Sequence, residues 1–253
     1  MAQQTPVARV VGPWTEWMER WPTAAALAAA SPGDVVRAWG RLGYPRRALR
    51  LREAAVALVE RHGGEVPRTE VELLALPGVG AYTAAAVAAF AYAERTVVVY
   101  TNVRRVLARV VEGRAQAAPS LTAAEYRLAA QVLPEDAATS AVWNVAVMEL
   151  GALVCQARAP RCGECPLTER CAWLGAGRPA YEGPARRGQG YEGTDRKVRG
   201  DLLQLLRDSP IPLHRSAFDG VDPDSLRVDR LLDALVAEGF IEPLPASRFC
   251  LPE

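Results

Sequence analysis

Four cysteines, Cys155, Cys162, Cys165 and Cys171, are separated by six, two and five residues. No other feature constrains the fold as much. A chain that crowds four thiols into so short a segment must oxidise them, bury them separately, or wrap them around an inorganic centre. Disulfides belong to oxidising compartments, and the opening residues do not read as a secretory leader. Independently buried cysteines would scatter. Four thiolates can surround one iron–sulfur cube or one zinc ion, and spacing alone leaves that choice open. The fifth cysteine, Cys250, lies far off and reads as an ordinary core thiol.

The chain has 253 residues, half of them apolar, with a net charge of +1. That length suits two or three small domains with real cores. Global charge selects no partner, and no apolar run reaches membrane-spanning length without a charge. The basic residues are nearly all arginine, with Lys197 the sole lysine. Arginines gather at Arg46, Arg47, Arg50 and Arg52, at Arg104, Arg105 and Arg109, and at Arg158, Arg161 and Arg170. Such stripes can bind phosphate even on a near-neutral protein.

Apolar residues three or four apart predict helices over 22–30, 32–42, 46–62, 69–75, 81–91, 102–111, 122–133 and 139–153. Ser31 before Pro32 reads as an N-cap with a first-turn proline. Thr122 and Glu125 read as a capping box, and Gly63-Gly64 as a stop. The β-branched run 96–100 reads as a short strand or an extended approach to the next helix. Residues 175–194, rich in Gly, Pro and Arg, read as a linker. Beyond it, helices over 195–207 and 224–238 precede an extended pair, 240–244 and 248–251. That succession suggests a small winged-helix-like α+β unit.

Leu76-Pro77-Gly78-Val79-Gly80 separates two of the predicted helices. Its glycines permit a tight turn with outward amides, and the unpaired N–H groups of the following helix add positive potential. Together they form a corner suited to phosphate.

The cysteine spacing resembles that of the endonuclease III family of DNA glycosylases, where it holds a [4Fe-4S] cluster. Zinc modules usually carry two C-x2-C knuckles, and this chain has one. The Leu76–Gly80 segment resembles the helix–hairpin–helix of the same superfamily. Gln3-Gln4-Thr5, Leu42-Gly43-Tyr44, Asn102 to Leu107, Trp143-Asn144 and Met148 to Gly151 resemble MutY-type adenine DNA glycosylases, particularly actinobacterial members. The resemblance implies a mainly α helix–hairpin–helix glycosylase fold, an incomplete six-helix barrel plus an iron–sulfur cluster domain. The expected divisions are 1–111 for the hairpin-bearing helices, 112–174 for the cluster segment, 175–194 for the linker and 195–253 for the winged-helix-like unit.

By the same resemblance, the function is removal of adenine mispaired with 8-oxoguanine or guanine. The partner is double-stranded DNA, the protein a monomer without membrane attachment, and the location the cytoplasm and nucleoid of a bacterium. The target base must leave the stack. Loss of a base builds positive charge on the sugar, so the reaction wants an acid for the leaving base and a carboxylate for the sugar. Tyr82 matches an assisting tyrosine of the family. Gln3, Gln4, Tyr44 and Pro45 match its intercalating segments, Pro45 standing where a second tyrosine is usual. Gly78, Val79, Gly80 and Arg104 are expected at the DNA backbone. Cys155, Cys162, Cys165 and Cys171 are the expected cluster ligands.

Two departures bear on catalysis. Tyr100 stands where the family carries its aspartate, two residues before Asn102, which would orient that aspartate. A phenol does not carry a carboxylate's charge at neutral pH. The acid glutamate would lie upstream of Met1, with an N-terminal helix whose absence would expose apolar surface. Impaired excision is therefore expected. The alternatives are a noncatalytic DNA-binding remnant or a glycosylase for another mismatched base such as thymine. Tyr82 also stands where lyase relatives carry their Schiff-base lysine, so the reaction is expected to be monofunctional.

Overall fold

The computed structural model describes residues 1–2, 5–183 and 190–253. The chain is mainly helical and divides into two compact units. One contains residues 1–66, 76–78 and 187–253; the other contains 67–75 and 79–186.

In the first unit, helix α1 spans Val7–Arg20, a stretch the periodicity reading left without an assignment. Its N-cap is Pro6, which makes no side-chain cap, and Pro13 lies inside it. The usual start signal is therefore missing, and proline obscures the pattern. Val10 and Trp17 turn inward, while Val7, Val11, Trp14 and Met18 are exposed. Helices α2 (Ala24–Ala28), α3 (Pro32–Trp39) and α4 (Arg46–His62) follow. Thr23 and Ser31 cap α2 and α3, accepting from Ala26 N–H and Asp34 N–H. Trp17, Leu27, Val35, Trp39 and Ala48 form one core cluster, with the Trp17 ring edge-on to Trp21 and Trp39.

The opposite side of α3 and α4 buries the C-terminal module. That module runs α11 (Asp195–Asp208), β1 (Leu213–His214), a helical turn at Arg215–Phe218, α12 (Ser225–Ala237), β2 (Glu242–Leu244) and β3 (Arg248–Cys250). The strands order β1-β3-β2, all antiparallel, and β1 is the strand the sequence pattern did not announce. At two residues it is too short to show alternation. Val36 lies in the same cluster as Leu202, Leu206, Phe218, Leu232, Leu235 and Phe240, and Leu49 packs against it. Gly33 N–H donates to Pro252 O at 2.7 Å. A Cβ at Gly33 would stand 2.4 Å from that oxygen, so only glycine admits the C-terminal tail here.

The second unit contains α5 (Glu70–Leu74), α6 (Ala81–Tyr92), α7 (Thr101–Val110), α8 (Ala123–Val132) and α9 (Ala137–Glu149). A π-helical turn, Leu150–Val154, continues α9 into the cysteine segment, which ends at α10 (Ala172–Gly175). Residues 96–100 are extended without pairing in a sheet. Thr96 ties this stretch down, donating through Oγ1 to Ala85 O and accepting at its carbonyl from Asn144 Nδ2. The span Ala137–Val154 is long and apolar enough to cross a membrane by length and composition alone. It carries Glu149 and the fully buried Asn144, and packs against α6 and α7 in this unit.

Candidate functional site

In the second unit, the three residues expected at the chemistry stand together. Tyr100 is the N-cap residue of α7 and Asn102 lies in its first turn. Tyr82 sits in the first turn of α6, its ring 4.5 Å from that of Tyr100 and tilted by 30°. The Tyr82 hydroxyl points to the Met148 sulfur at 3.8 Å. Burial first, and the neighbouring Tyr100 second, push the Tyr82 phenol above its ordinary pKa. It is therefore neutral at physiological pH and can donate a hydrogen bond.

Asn102 is held from behind. Its Oδ1 accepts from Arg105 at 2.8 Å, and the same guanidinium donates to Gly151 O and, through Nε, to Cys155 O. A Cβ at Gly151 would come within 2.7 Å of the Asn102 Cβ, so this glycine lets the π-helical turn close against α7. Arg105 thus connects the Tyr100–Asn102 corner to the first cysteine by side-chain hydrogen bonds.

The four cysteines line a single pocket with Arg109, Pro160, Thr168 and Trp173. Two short 3-10 turns, Cys162–Glu164 and Thr168–Arg170, set Cys162, Cys165 and Cys171 around it, and Thr168 Oγ1 donates to the carbonyls of Cys162 and Cys165. Among the described residues, no three His, Cys, Asp or Glu side chains converge on one ion-sized point. Arg109 is 3% exposed. Its guanidinium donates to Ala115 O, Gln156 O and Ala157 O, approaches Cys155 Sγ at 3.4 Å, and lies 4.5 Å over Trp173.

These partners give one arginine stripe a structural use. Arg104 pairs with Glu125 at 2.7 Å and donates to Ala118 O and Ser120 O, the two side chains being 12% and 6% exposed. It braces the 118–125 loop instead of facing solvent. Arg105 and Arg109 are used in the same way, because a guanidinium's five donors can satisfy loop carbonyls that nothing else reaches. Arg161 donates to Leu153 O and pairs with Glu164, whereas Arg158 and Arg170 are exposed, with no ionic partner among the described residues. Sequence reasoning singled out Gly151 and the arginines Arg105 and Arg109 but not their roles, a close helix contact at the glycine and carbonyl bracing by two arginines four residues apart.

The hairpin segment runs across the boundary between the units. Gly78 has φ +74°, and a Cβ there would meet Arg50 Cβ at 2.6 Å, so the turn requires glycine. Val79 leads into Gly80, the extended N-cap of α6, which lacks a side-chain cap and leaves the first amides of that helix free of one.

In the first unit, Tyr44 occupies the turn between α3 and α4 at φ +50°, half exposed. A non-glycine residue there costs about 1–3 kcal/mol, held only where surroundings over-determine it. Here Gly43 O accepts from both Trp39 Nε1 and Arg47, and the Arg47 guanidinium lies 5.4 Å from the Tyr44 ring. Pro45 is the N-cap of α4. Of the first arginine stripe, Arg46 pairs with Glu238, Arg50 with Glu53, and Arg52 donates to Ala30 O. Gln3 and Gln4 lie outside the described residues.

Residues 1–131 match the HhH-GPD superfamily base excision DNA repair protein family. An adenine DNA glycosylase of Mycobacterium tuberculosis is 50% identical over 253 residues, the whole of this chain and 83% of that protein. The chain belongs to the HhH-GPD superfamily. Its Mycolicibacterium smegmatis relative, also an adenine DNA glycosylase, is 52% identical over 99% of this chain and 84% of its own length. The human adenine DNA glycosylase is 44% identical over 68% of this chain and 31% of its own. Among solved structures, a thermostable thymine-DNA glycosylase superposes with TM-score 0.59 at 25% identity, covering 69% of this chain and 80% of that one. A trapped endonuclease III–DNA covalent intermediate gives TM-score 0.61 at 24% identity, over 70% and 82%. By family and relatives the chain is a DNA glycosylase of base excision repair.

Proposed function

We propose that this glycosylase acts on adenine opposite 8-oxoguanine or guanine, without lyase activity, and that its excision step is slow. Full-length identity of about half to adenine DNA glycosylases supports the target base. A single geometric observation carries the slow step: the Tyr82–Tyr100 ring stack. Where the resemblance expects a carboxylate beside the reacting sugar, an uncharged ring packs against the assisting tyrosine. Loss of one charge stabiliser commonly costs a factor of about 100 to 1,000. Tyr82, Asn102 and the Gly78–Gly80 turn remain to bind and orient the extruded nucleotide.

The side chains support a lack of lyase chemistry. Lys197, the only lysine, sits in the C-terminal module and pairs with Asp201 at 2.9 Å. Hydrogen bonding to Asp201 raises its pKa, which keeps the amine protonated and unreactive.

The cysteine pocket fits a [4Fe-4S] cluster held by Cys155, Cys162, Cys165 and Cys171. A single zinc ion needs its sulfurs within about 2.3 Å of one centre. A cube takes one cysteine at each iron and needs them spread around a larger body. All four cysteines line one pocket, and its buried cation, Arg109, suits an anionic centre, which supports the cluster reading. Bound there, the cluster would cross-link the 155–171 loop on which exposed Arg158 and Arg170 stand. The expected modules are 1–111, the cluster segment 112–174 and the 195–253 unit.

Single-turnover excision across a mispair panel tests the reading. Adenine release from A:8-oxoguanine, slow in this chain and raised at least tenfold by Tyr100→Asp, is the expected result. Preferential release of thymine, or a fast rate that Tyr100→Asp lowers, would overturn it. Iron and sulfide analysis should return about four of each per chain; zinc instead would remove the cluster assignment.

A further inference from the structure

We propose that the C-terminal module is part of the DNA-gripping surface, through Arg196 on α11 clamped between the exposed rings of Tyr44 and Tyr191. The inference rests on the DNA-repair reading above and extends it to a residue for which that reading has no role. All three residues belong to one compact unit.

The geometry is specific. The Arg196 guanidinium carbon lies 5.3 Å from the Tyr44 ring centroid and 5.4 Å from that of Tyr191. Both distances fall within the cation–π range. Tyr191 is positioned by the turn ahead of α11, in which Thr194 N–H and Oγ1 both donate to Tyr191 O. Its hydroxyl lies 3.5 Å from where a Cβ of Gly200 would be, so the ring lies along a helix face that glycine keeps low. The Arg47 guanidinium carbon also lies 5.4 Å from the Tyr44 ring centroid.

Charge bookkeeping separates Arg196 from its neighbours. Lys197 pairs with Asp201, Arg199 with Glu238, and Arg227 and Arg230 with Asp195. Arg196 is exposed and has no acidic partner among the described residues; its contacts are the two rings. Asp195, next to it in sequence, is already held by two guanidiniums. An unneutralised arginine held over two half-exposed aromatic rings offers donors for a phosphate, and the exposed parts of the rings offer surface for an unpaired base. That chemistry fits a distorted duplex, because a normally stacked one presents only its phosphates. The two rings also fix the arginine before DNA arrives, so little side-chain freedom is lost on binding.

The test measures binding of the full chain to a fluorescent duplex with one A:8-oxoguanine mispair, and to a matched duplex, across a salt series. Arg196→Ala should weaken mispair binding about five- to tenfold and lower the slope of log affinity against log salt by about one phosphate. Arg196→Lys keeps the charge but loses the planar guanidinium, so it should restore the salt slope while retaining most of the mispair-specific loss. Arg230→Ala, which removes an arginine already paired to Asp195, serves as the control and should leave both readings near wild type. Unchanged affinity and slope in Arg196→Ala, with the wild-type chain binding normally, would overturn the inference while leaving the repair reading intact. If the wild-type chain itself ignores mispaired duplexes, both fall. Circular dichroism melts establish that each variant is folded, since Arg196 is exposed and outside the core.

Discussion

Replacing Arg104 by methionine separates a structural brace from a phosphate contact. The substitution leaves Glu125, 5% exposed, with only the amides of Ala118 and Thr122 as donors. It also strips Ala118 O and Ser120 O of their partner. Breaking one side of a buried ion pair costs about 3–5 kcal/mol. The Ser120 side of the loop is open to water and recovers part of its loss, so a destabilisation of about 3 kcal/mol is expected. It should concentrate in α7, α8 and the loop joining them. Hydrogen–deuterium exchange resolves that locality where a global melt of a two-unit chain does not, because such a chain need not unfold in one step. The double change Arg104→Met with Glu125→Leu removes the stranded charge. It should recover more than half of the loss, less about 1 kcal/mol for the broken capping box. DNA affinity supplies the contrast. A true phosphate contact would take about 0.9 from the salt slope, whereas a brace leaves the slope unchanged at temperatures where the variant stays folded. Wild-type exchange rates together with a reduced slope would refute the structural account of Arg104.

Gly33→Ala should destabilise the first unit by about 1–3 kcal/mol through overpacking against Pro252 O and Leu251, read as a lower melting temperature. Acid should loosen the C-terminal module. Arg199 first and then Arg46 hold the Glu238 carboxylate down from the ordinary 4.5 to about 2, although burial opposes them. A depressed folded-state pKa means stability that is present above pH 4.5 and lost as pH falls towards 2, so Glu238→Gln should flatten that limb of a pH–melt profile. Glu125 behaves with the same sign. Burial raises its pKa, but the Ala118 and Thr122 amides and Arg104 outweigh that effect and hold it below the usual range. Cys162→Ser should lower bound iron and visible absorbance together while far-ultraviolet dichroism of the other helices persists.

What the sequence disclosed was what local chemistry decides. Ser31 with Pro32, Thr122 with Glu125, and Gly63 each act within one turn of helix, and each is found doing so. The chain gathers its four cysteines around one pocket because they lie within one loop. Helix α1 escaped notice because Pro6 offers no cap and Pro13 interrupts the pattern. The arginines were illegible for a different reason. Their role depends on which carbonyls or carboxylates the fold brings within reach, and nothing in Arg104-Arg105 distinguishes a partner 21 residues away from a phosphate. Arg196 is the converse case, in a helix whose other basic residues near its start found acids.

That contrast bears on how a near-neutral protein could hold a polyanion. Most arginines among the described residues are engaged by internal carbonyls or carboxylates, and the net charge is only +1, so a broad electrostatic footprint is not expected. Binding must then lean on groups whose strength does not come from net charge. On the proposed reading, such groups include the free amides at the start of α6 and, separately, a guanidinium held over aromatic rings. Such contacts gain most where the duplex is already deformed, since uniform phosphates reward charge alone while an unstacked base rewards planar surfaces. A weak salt dependence with a strong preference for mispaired over matched duplex is the behaviour this distribution of arginines demands. A steep salt slope without that preference would mean that arginines bonded to internal carbonyls and carboxylates also reach the DNA.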